Sequence, residues 1–420
     1  MADASRYDVI VVGAGPGGLA AAWAAASRGK RVALLDDNIG PGGQIWRSND
    51  AAGLPGEAKR WIAKLKGTSC EVMSRTAVVA RPAENILLAE TPEGPRRFEF
   101  EKLIFATGSR ELFLPFPGWT LPGVFGAGGL QALVKSGLPV KGRHIVVAGS
   151  GPLLLAVANY LRRHGAEIVG IAEQATPARV YLFGINLFSR PSKLLQAISL
   201  RARLSHVPYD FGWWVRRAEG DEKLQQVTLA NRNGERSYPC DMLACAYGLV
   251  PNVELPVLFG CELNAGFVRT GATMETSVPG VYCIGEPVAI GGSDAAIVQG
   301  LIAGAAASGD SAGASRHQFS RRRWQRFSAR LEQAFRLRQE MRHDVGDDTP
   351  VCRCEDVTLR KLKNHDSWRD AKLQTRAGMG PCQGRVCGAA CQYLFGWHND
   401  SIRPPVLAAR VETFIAPPRA

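Results

Sequence analysis

The sequence predicts an α/β chain: two βαβ nucleotide-binding units in tandem, followed by a small helical domain that carries cysteines. Three observations predict it. Residues 7–36 read as strand, G-x-G-x-x-G, alanine-rich helix, strand and acid. Residues 144–173 repeat that order. Four cysteines between 352 and 387 then form a C-x-C pair and a second pair with four residues between them. Tandem βαβ units of this kind are Rossmann-like.

Asp8 to Val12 is β-branched and uncharged after its first residue, as a strand buried on both faces requires. In the turn that follows, Gly13 permits the bend. Gly15 lets a pyrophosphate approach the backbone, and Gly18 lets the next helix pack on the strand. The helix runs from Leu19 to about Ser27, Gly29 ends it, and Arg31 to Leu35 is the second strand. Asp36 closes that strand, where a carboxylate can accept both ribose hydroxyls. The acid suits FAD or NAD better than NADP. A glycine turn that binds nothing is the bland alternative, but strand, helix and acid all stand in register.

The chain has 420 residues, 46% of them hydrophobic, enough for two or three domains with ordinary cores. No run is long and apolar enough to span a bilayer, and the polar start, Met1 to Tyr7, leaves no room for a signal peptide. A cytoplasmic protein is expected. The net charge of +13 is concentrated partly at Arg321-Arg322-Arg323. No nucleic-acid motif accompanies it, so it reads as a solvated face or a subunit contact.

After Asp36, Pro41-Gly42-Gly43-Gln44 offers close backbone approach to a flat ring at Gly43 and an amide for its edge at Gln44. Ala58 to Lys66 reads as an amphipathic helix. Residues 72–80, 85–91 and 98–105 read as strands, the last ending in Ala106-Thr107-Gly108-Ser109 at a ligand-facing strand end. Pro115 to Pro122 reads as a crossing between domains. The second unit then carries Gly149 and Gly151, but Leu154 where a third glycine would stand, and it closes on Glu173. It either takes NAD or another adenine nucleotide, or keeps the fold without that use. A leucine at 154 should hold the helix away from the strand or tilt it.

Residues 177–208 read as less regular, and 211–217, 226–230 and 240–246 as strands. Cys240 and Cys245 are expected to point to opposite faces and to be structural. Gly248 to Asn252 reads as the return crossing. Val281 to Ile284 is a strand ending in Gly285-Glu286, an acid suited to a flavin ribityl chain, with a glycine-rich turn and helix at 291–304. Residues 317–343 are charged and helical, with Trp324, Phe327, Leu331 and Phe335 as a packing stripe.

Cys352 and Cys354, then Cys382 and Cys387, are four thiolates of the kind that bind zinc or an iron–sulfur cluster. Zinc sites usually space each pair by two residues. The tight first pair and the glycine-flanked second pair favour 2Fe–2S, with Arg353 and Arg385 offsetting its charge. Cys391 reads as a packing residue.

With these motifs in view, the chain resembles the FAD-dependent pyridine-nucleotide-disulfide-oxidoreductase superfamily, whose fold is glutathione-reductase-like. It lacks that superfamily's catalytic disulfide. G-A-G-P-G-G, P-G-G-Q-I, A-T-G, G-S-G-P-L-L and C-R-C-E … R-A-G-M-G-P-C-Q-G-R-V-C resemble the alpha subunits of opine oxidases, hydrogen cyanide synthase and multi-subunit (hydroxy)proline dehydrogenases. The cysteine segment is also similar to bacterioferritin-associated ferredoxin. The resemblance implies FAD on Gly13, Gly15, Gly18, Asp36, Gln44, Thr107 (with Gly108) and Glu286, and cluster ligands Cys352, Cys354, Cys382 and Cys387. It implies a second flavoprotein (beta) subunit that oxidises an amino-acid-type substrate, with room for a small third subunit. Glu286 departs from the superfamily's usual Asp. The expected domains are 1–118 with 264–312, 119–263, a linker 313–348, a cluster domain 349–396 and a tail 397–420. The seven histidines form no group, and no general base is identifiable. The rival readings are a stand-alone NADH-dependent flavoprotein reductase and a redox-sensing binding protein.

Overall fold

The computed structural model describes residues 4–46, 54–398 and 402–415. The chain divides into two units, 1–110 with 251–329 and 401–420, and 111–250 with 330–400. The divisions fall at 110/111 and 250/251, the second within the return crossing Gly248 to Asn252.

In the first unit, β1 (Ser5–Val12) is parallel to β2 (Val32–Leu35), and β2 to β3 (Cys70–Met73). β4 (Ala77–Ala83), β5 (Ile86–Thr91) and β6 (Gly94–Phe105) complete the order β3-β2-β1-β6-β5-β4, with Val281–Cys283 parallel to the end of β6. Val9 to Val11 and all of β2 are buried, as strands covered on both faces must be.

The helix α1 (Pro16–Ala26) follows β1 and buries ten of its 11 residues. Against it lies the equally small-residued helix Gly292–Ala307. A Cβ on Gly300 would overlap the Gly17 carbonyl oxygen, and one on Gly304 the Ala21 carbonyl oxygen. The two helices therefore meet backbone to backbone.

The second unit opens its βαβ with β7 (His144–Gly149), α2 (Leu153–Arg163) and β8 (Glu167–Glu173). Its parallel sheet runs Tyr209–Phe211, β8, β7, Met242–Ala246, Val124–Gly126. Leu154 is fully buried in the core between α2 and that sheet. The strand expected at 211–217 is two strands. Gly212, at φ +79°, breaks it, and Trp214–Glu219 joins a separate antiparallel sheet with Gln226–Asn231 and Gly234–Pro239.

Residues 177–208, expected to be irregular, hold two helices, α3 (Pro177–Asn186) and α4 (Pro191–Arg203). Pro177 and Pro191 occupy the first turn of these helices, where a missing N–H costs nothing. Farther on, Pro350–Cys352 pairs with Val357–Thr358, and the helices Trp368–Thr375 and Cys387–Phe395 close over a small core with Val351, Leu362, Trp368 and Ala371. Among the described residues no helix is long and apolar enough to cross a membrane.

The glycine packing can be tested by contrast. Gly304→Ala should lower unfolding free energy by about 3 kcal/mol or more, because backbone must move. Gly184→Ala, in α3 with no atom near an added Cβ, should raise it by about 0.5–1 kcal/mol. Thermal and urea unfolding of both variants read the difference.

Candidate functional site

In the first unit the strand ends converge. Gly13 sits at φ +106°, and a Cβ there would overlap the Ala106 carbonyl oxygen, so the fingerprint turn and the 106–108 turn lie side by side. A Cβ on Gly18 would overlap the Gly13 carbonyl oxygen, which sets α1 tightly on the turn. Beside Gly15 there is nothing within 4 Å of an added Cβ. Asp36 is buried, and its carboxylate accepts the Ala14 amide at 2.5 Å and the Asn38 amide at 2.8 Å. The Gly42 amide donates to the Ala14 carbonyl at 2.8 Å, which lays the Gly42-Gly43 loop over the turn. Gln44 is exposed beside it, anchored by the buried Trp46.

Thr107 and Gly108 are tied to Asn252. The Thr107 hydroxyl donates to the Asn252 carbonyl at 2.7 Å, and the Asn252 side-chain amide returns a bond to the Thr107 carbonyl at 2.9 Å. The Asn252 amide donates to the Gly108 carbonyl at 3.0 Å. Arg110 holds Asn252 Oδ1 at 2.7 Å and Glu254 at 2.9 Å. Glu286 accepts the Ser109 hydroxyl, and burial pushes its carboxyl above the ordinary range against that bond. The Gly285 amide donates to the buried Gln299 at 2.6 Å. Gly13, Gly15, Gly18, Asp36, Gly43, Thr107, Gly108, Gly285 and Glu286 thus line one region outside the carboxyl ends of parallel strands, where open α/β sheets hold ligands. The space left at Gly15 and the amides of the α1 N-terminus fit a pyrophosphate.

The second fingerprint turn is built alike but covered. Glu173 is fully buried and accepts the amides of Gly151 and Ala175, both at 2.7 Å. Burial pushes its carboxyl up to about 7. The Ser150 hydroxyl donates to the Phe335 carbonyl at 2.9 Å, and Gln174 bridges to Ser150 at 2.8 Å and to Phe335 at 3.3 Å. The Phe335 ring reaches 3.8 Å from where a Gly151 Cβ would be, and it packs edge-on against Phe183. The Gly149-Ser150-Gly151 face that would receive a pyrophosphate meets this chain's own residues 335–336.

Among the described residues no group of three or more His, Cys, Asp or Glu side chains is arranged to hold a metal ion. The four cysteines interact with one another: hydrogen bonding links Cys352 with Cys387 and Cys354 with Cys382, and charge couples Cys354 to Cys352 and Cys387 to Cys382. Hydrogen bonding from Cys387, ahead of the Gly378 amide at 3.5 Å, brings the Cys352 thiol down to about 6, and Cys387 is correspondingly raised. A Cβ on Gly380 would overlap that of Cys354, so the glycine-rich loop lies directly on Cys354. Burial pushes Cys391 up to about 12, in keeping with a packing role. Cys240 and Cys245 are buried free thiols.

The sequence profile of pyridine nucleotide-disulphide oxidoreductases matches residues 7–307. The chain belongs to that family. The HcnB subunit of hydrogen cyanide synthase from Pseudomonas aeruginosa PAO1 is 31% identical over 91% of this chain and 91% of its own. An opine oxidase subunit of Agrobacterium tumefaciens Ach5 is 32% identical over 95% of this chain and 87% of its own. In fold, the chain is similar to L-proline dehydrogenase from P. horikoshii, with TM-score 0.66, 18% identity, and coverage of 98% of this chain and 80% of that one. Lactococcus lactis thioredoxin reductase gives TM-score 0.56 at 20% identity over 75% of this chain and 99% of that one. The protein is an FAD-dependent oxidoreductase.

Sequence reasoning does not single out Ser109, Asn252 or Gln299 as site residues, nor Phe335 as more than packing. Ser109, Asn252 and Phe335 act on partners more than 140 residues away, while Gln299 reaches Gly285 across 14 residues.

The covered second turn gives the oxidoreductase a testable property. NADH added anaerobically to the flavin-loaded protein should leave the flavin absorbance unchanged over minutes. Rapid bleaching would mean that residues 335–336 clear the turn.

Glu173 adds a pH signature. Its carboxyl titrates from 4.5 when unfolded and about 7 when folded, so the neutral form's stabilisation is complete below 4.5 and lost as pH rises through 7. Wild type should therefore lose up to about 3 kcal/mol more than Glu173→Gln between pH 4.5 and 8. Parallel urea titrations measure it.

Proposed function

We propose that this chain is the electron-transfer (alpha) subunit of a multi-subunit amino-acid or imino-acid dehydrogenase or oxidase, of opine, proline or hydroxyproline type. It would hold FAD in the first unit and a 2Fe–2S cluster on Cys352, Cys354, Cys382 and Cys387. The observation that carries this reading is that the four thiols interact with one another in the C-x-C and C-x4-C spacing, the donor set a 2Fe–2S cluster takes. The relatives from hydrogen cyanide synthase and opine oxidase are both named as subunits, which supports an assembly with further chains; the reading makes one of them a flavoprotein.

When bound, the flavin accepts two electrons together and releases them singly, and the cluster carries one at a time. The chain's own residues supply binding and tuning. Asp36 would accept the adenosine ribose hydroxyls while its amide bonds fix the carboxylate. Glu286, held by Ser109, would meet the ribityl chain, its extra methylene replacing the shorter Asp reach. Thr107 and Gly108, fixed by Asn252, would line the ring's approach, and Gln44 its edge. Arg353 and Arg385 would offset the negative charge of a thiolate-bound cluster. The covered second turn speaks against a stand-alone NADH-dependent reductase.

Protein purified anaerobically should contain flavin, iron and acid-labile sulfide. Cys382→Ser should lose iron and the cluster's visible absorbance by roughly tenfold or more, while Cys391→Ala keeps both. Flavin without iron in the wild-type protein would sink the reading.

A further inference from the structure

We propose that the α3–α4 segment of the second unit docks on an anionic lipid surface. The proposal needs no cofactor and does not depend on the redox assignment. Tyr181, Leu182, Ile185, Phe188, Leu195 and Ile198 are each more than half exposed. α4 buries none of its 13 residues, although Leu194, Leu195 and Ile198 share one helical face. α3 buries only Phe183. Exposed apolar surface of this extent marks a contact with a protein or a membrane.

Charge selects the occupant. From Gln174 to Tyr209 there is no Asp or Glu, while Arg179, Arg201 and Arg203 lie on the two helices. A second copy of this face would set like charges against each other. An anionic bilayer satisfies both features: the cations stay at the phosphate level while the Tyr, Leu, Ile and Phe side chains enter the acyl boundary. No described helix is long and apolar enough to cross, so the contact would be a helix pair lying in the interface.

The test is flotation of the flavin-loaded full chain with vesicles of phosphatidylcholine, with or without about 30 mol% phosphatidylglycerol. The protein should float only with the anionic vesicles and should be released by salt at about 0.5 M. Leu182→Ser/Ile185→Ser/Leu195→Ser should reduce the bound fraction roughly tenfold while flavin content and melting temperature hold. Arg201→Gln/Arg203→Gln should weaken binding and lower the salt at which it is lost. Wild type that does not float, or a serine variant that floats equally, would overturn the proposal. So would a serine variant that breaks up an oligomer of non-floating wild type, since the face would then join proteins.

Discussion

The first unit depends on the backbone contact between α1 and the helix Gly292–Ala307. These segments lie far apart in sequence, yet Gly300 and Gly304 leave their neighbours' carbonyl oxygens no room for a side chain. The contact does more than bury apolar surface. It sets Gln299 where its amide oxygen accepts the Gly285 N–H at 2.6 Å, and it places Ala296 against Gly17. Glu286, the residue after Gly285, is thereby carried beside the fingerprint turn. A bulkier pair of helices would bury as much and misplace that acid, because close-packed backbones cannot be shimmed by rotamer changes.

The two fingerprint turns show one template with two outcomes. In both, an acid at the end of the second strand accepts an amide from the glycine turn, Asp36 from Ala14 and Glu173 from Gly151. The difference lies on the ligand side of each turn. Phe335 ends the helix Gln318–Phe335, so its carbonyl is one of the groups a helix leaves without an internal partner. Ser150 and Gln174 supply that partner. Displacing the segment would forfeit these bonds, each worth about 1 kcal/mol net, and would uncover the Phe335 ring as well.

What is legible in the sequence is local. Strand, turn, helix and acid from Tyr7 to Asp36 fall within one short window, and Gly13, Gly15 and Gly18 occupy the positions that spacing assigns. The cysteine spacing is equally local, and the four side chains interact with one another. The helices α3 and α4 are not legible in that way, although proline opens both at the position where it starts a helix rather than breaking one. Ser109 on Glu286, Asn252 on Thr107 and Phe335 over Ser150 are invisible, since each joins residues more than 140 apart and no periodicity encodes such pairs.

The same geometry bears on where substrate chemistry resides. A general base needs a free lone pair and a proton path toward a reacting carbon. Asp36 is engaged by backbone amides on both oxygens, and Glu286 is buried and engaged by Ser109. Glu254 is paired with Arg110, which also holds Asn252. The acids around the first turn are thus committed to fixing backbone and hydroxyls. Under the proposed function these groups, spent on holding turns in place, would position the redox groups, and abstraction of a substrate proton would fall to the partner chain.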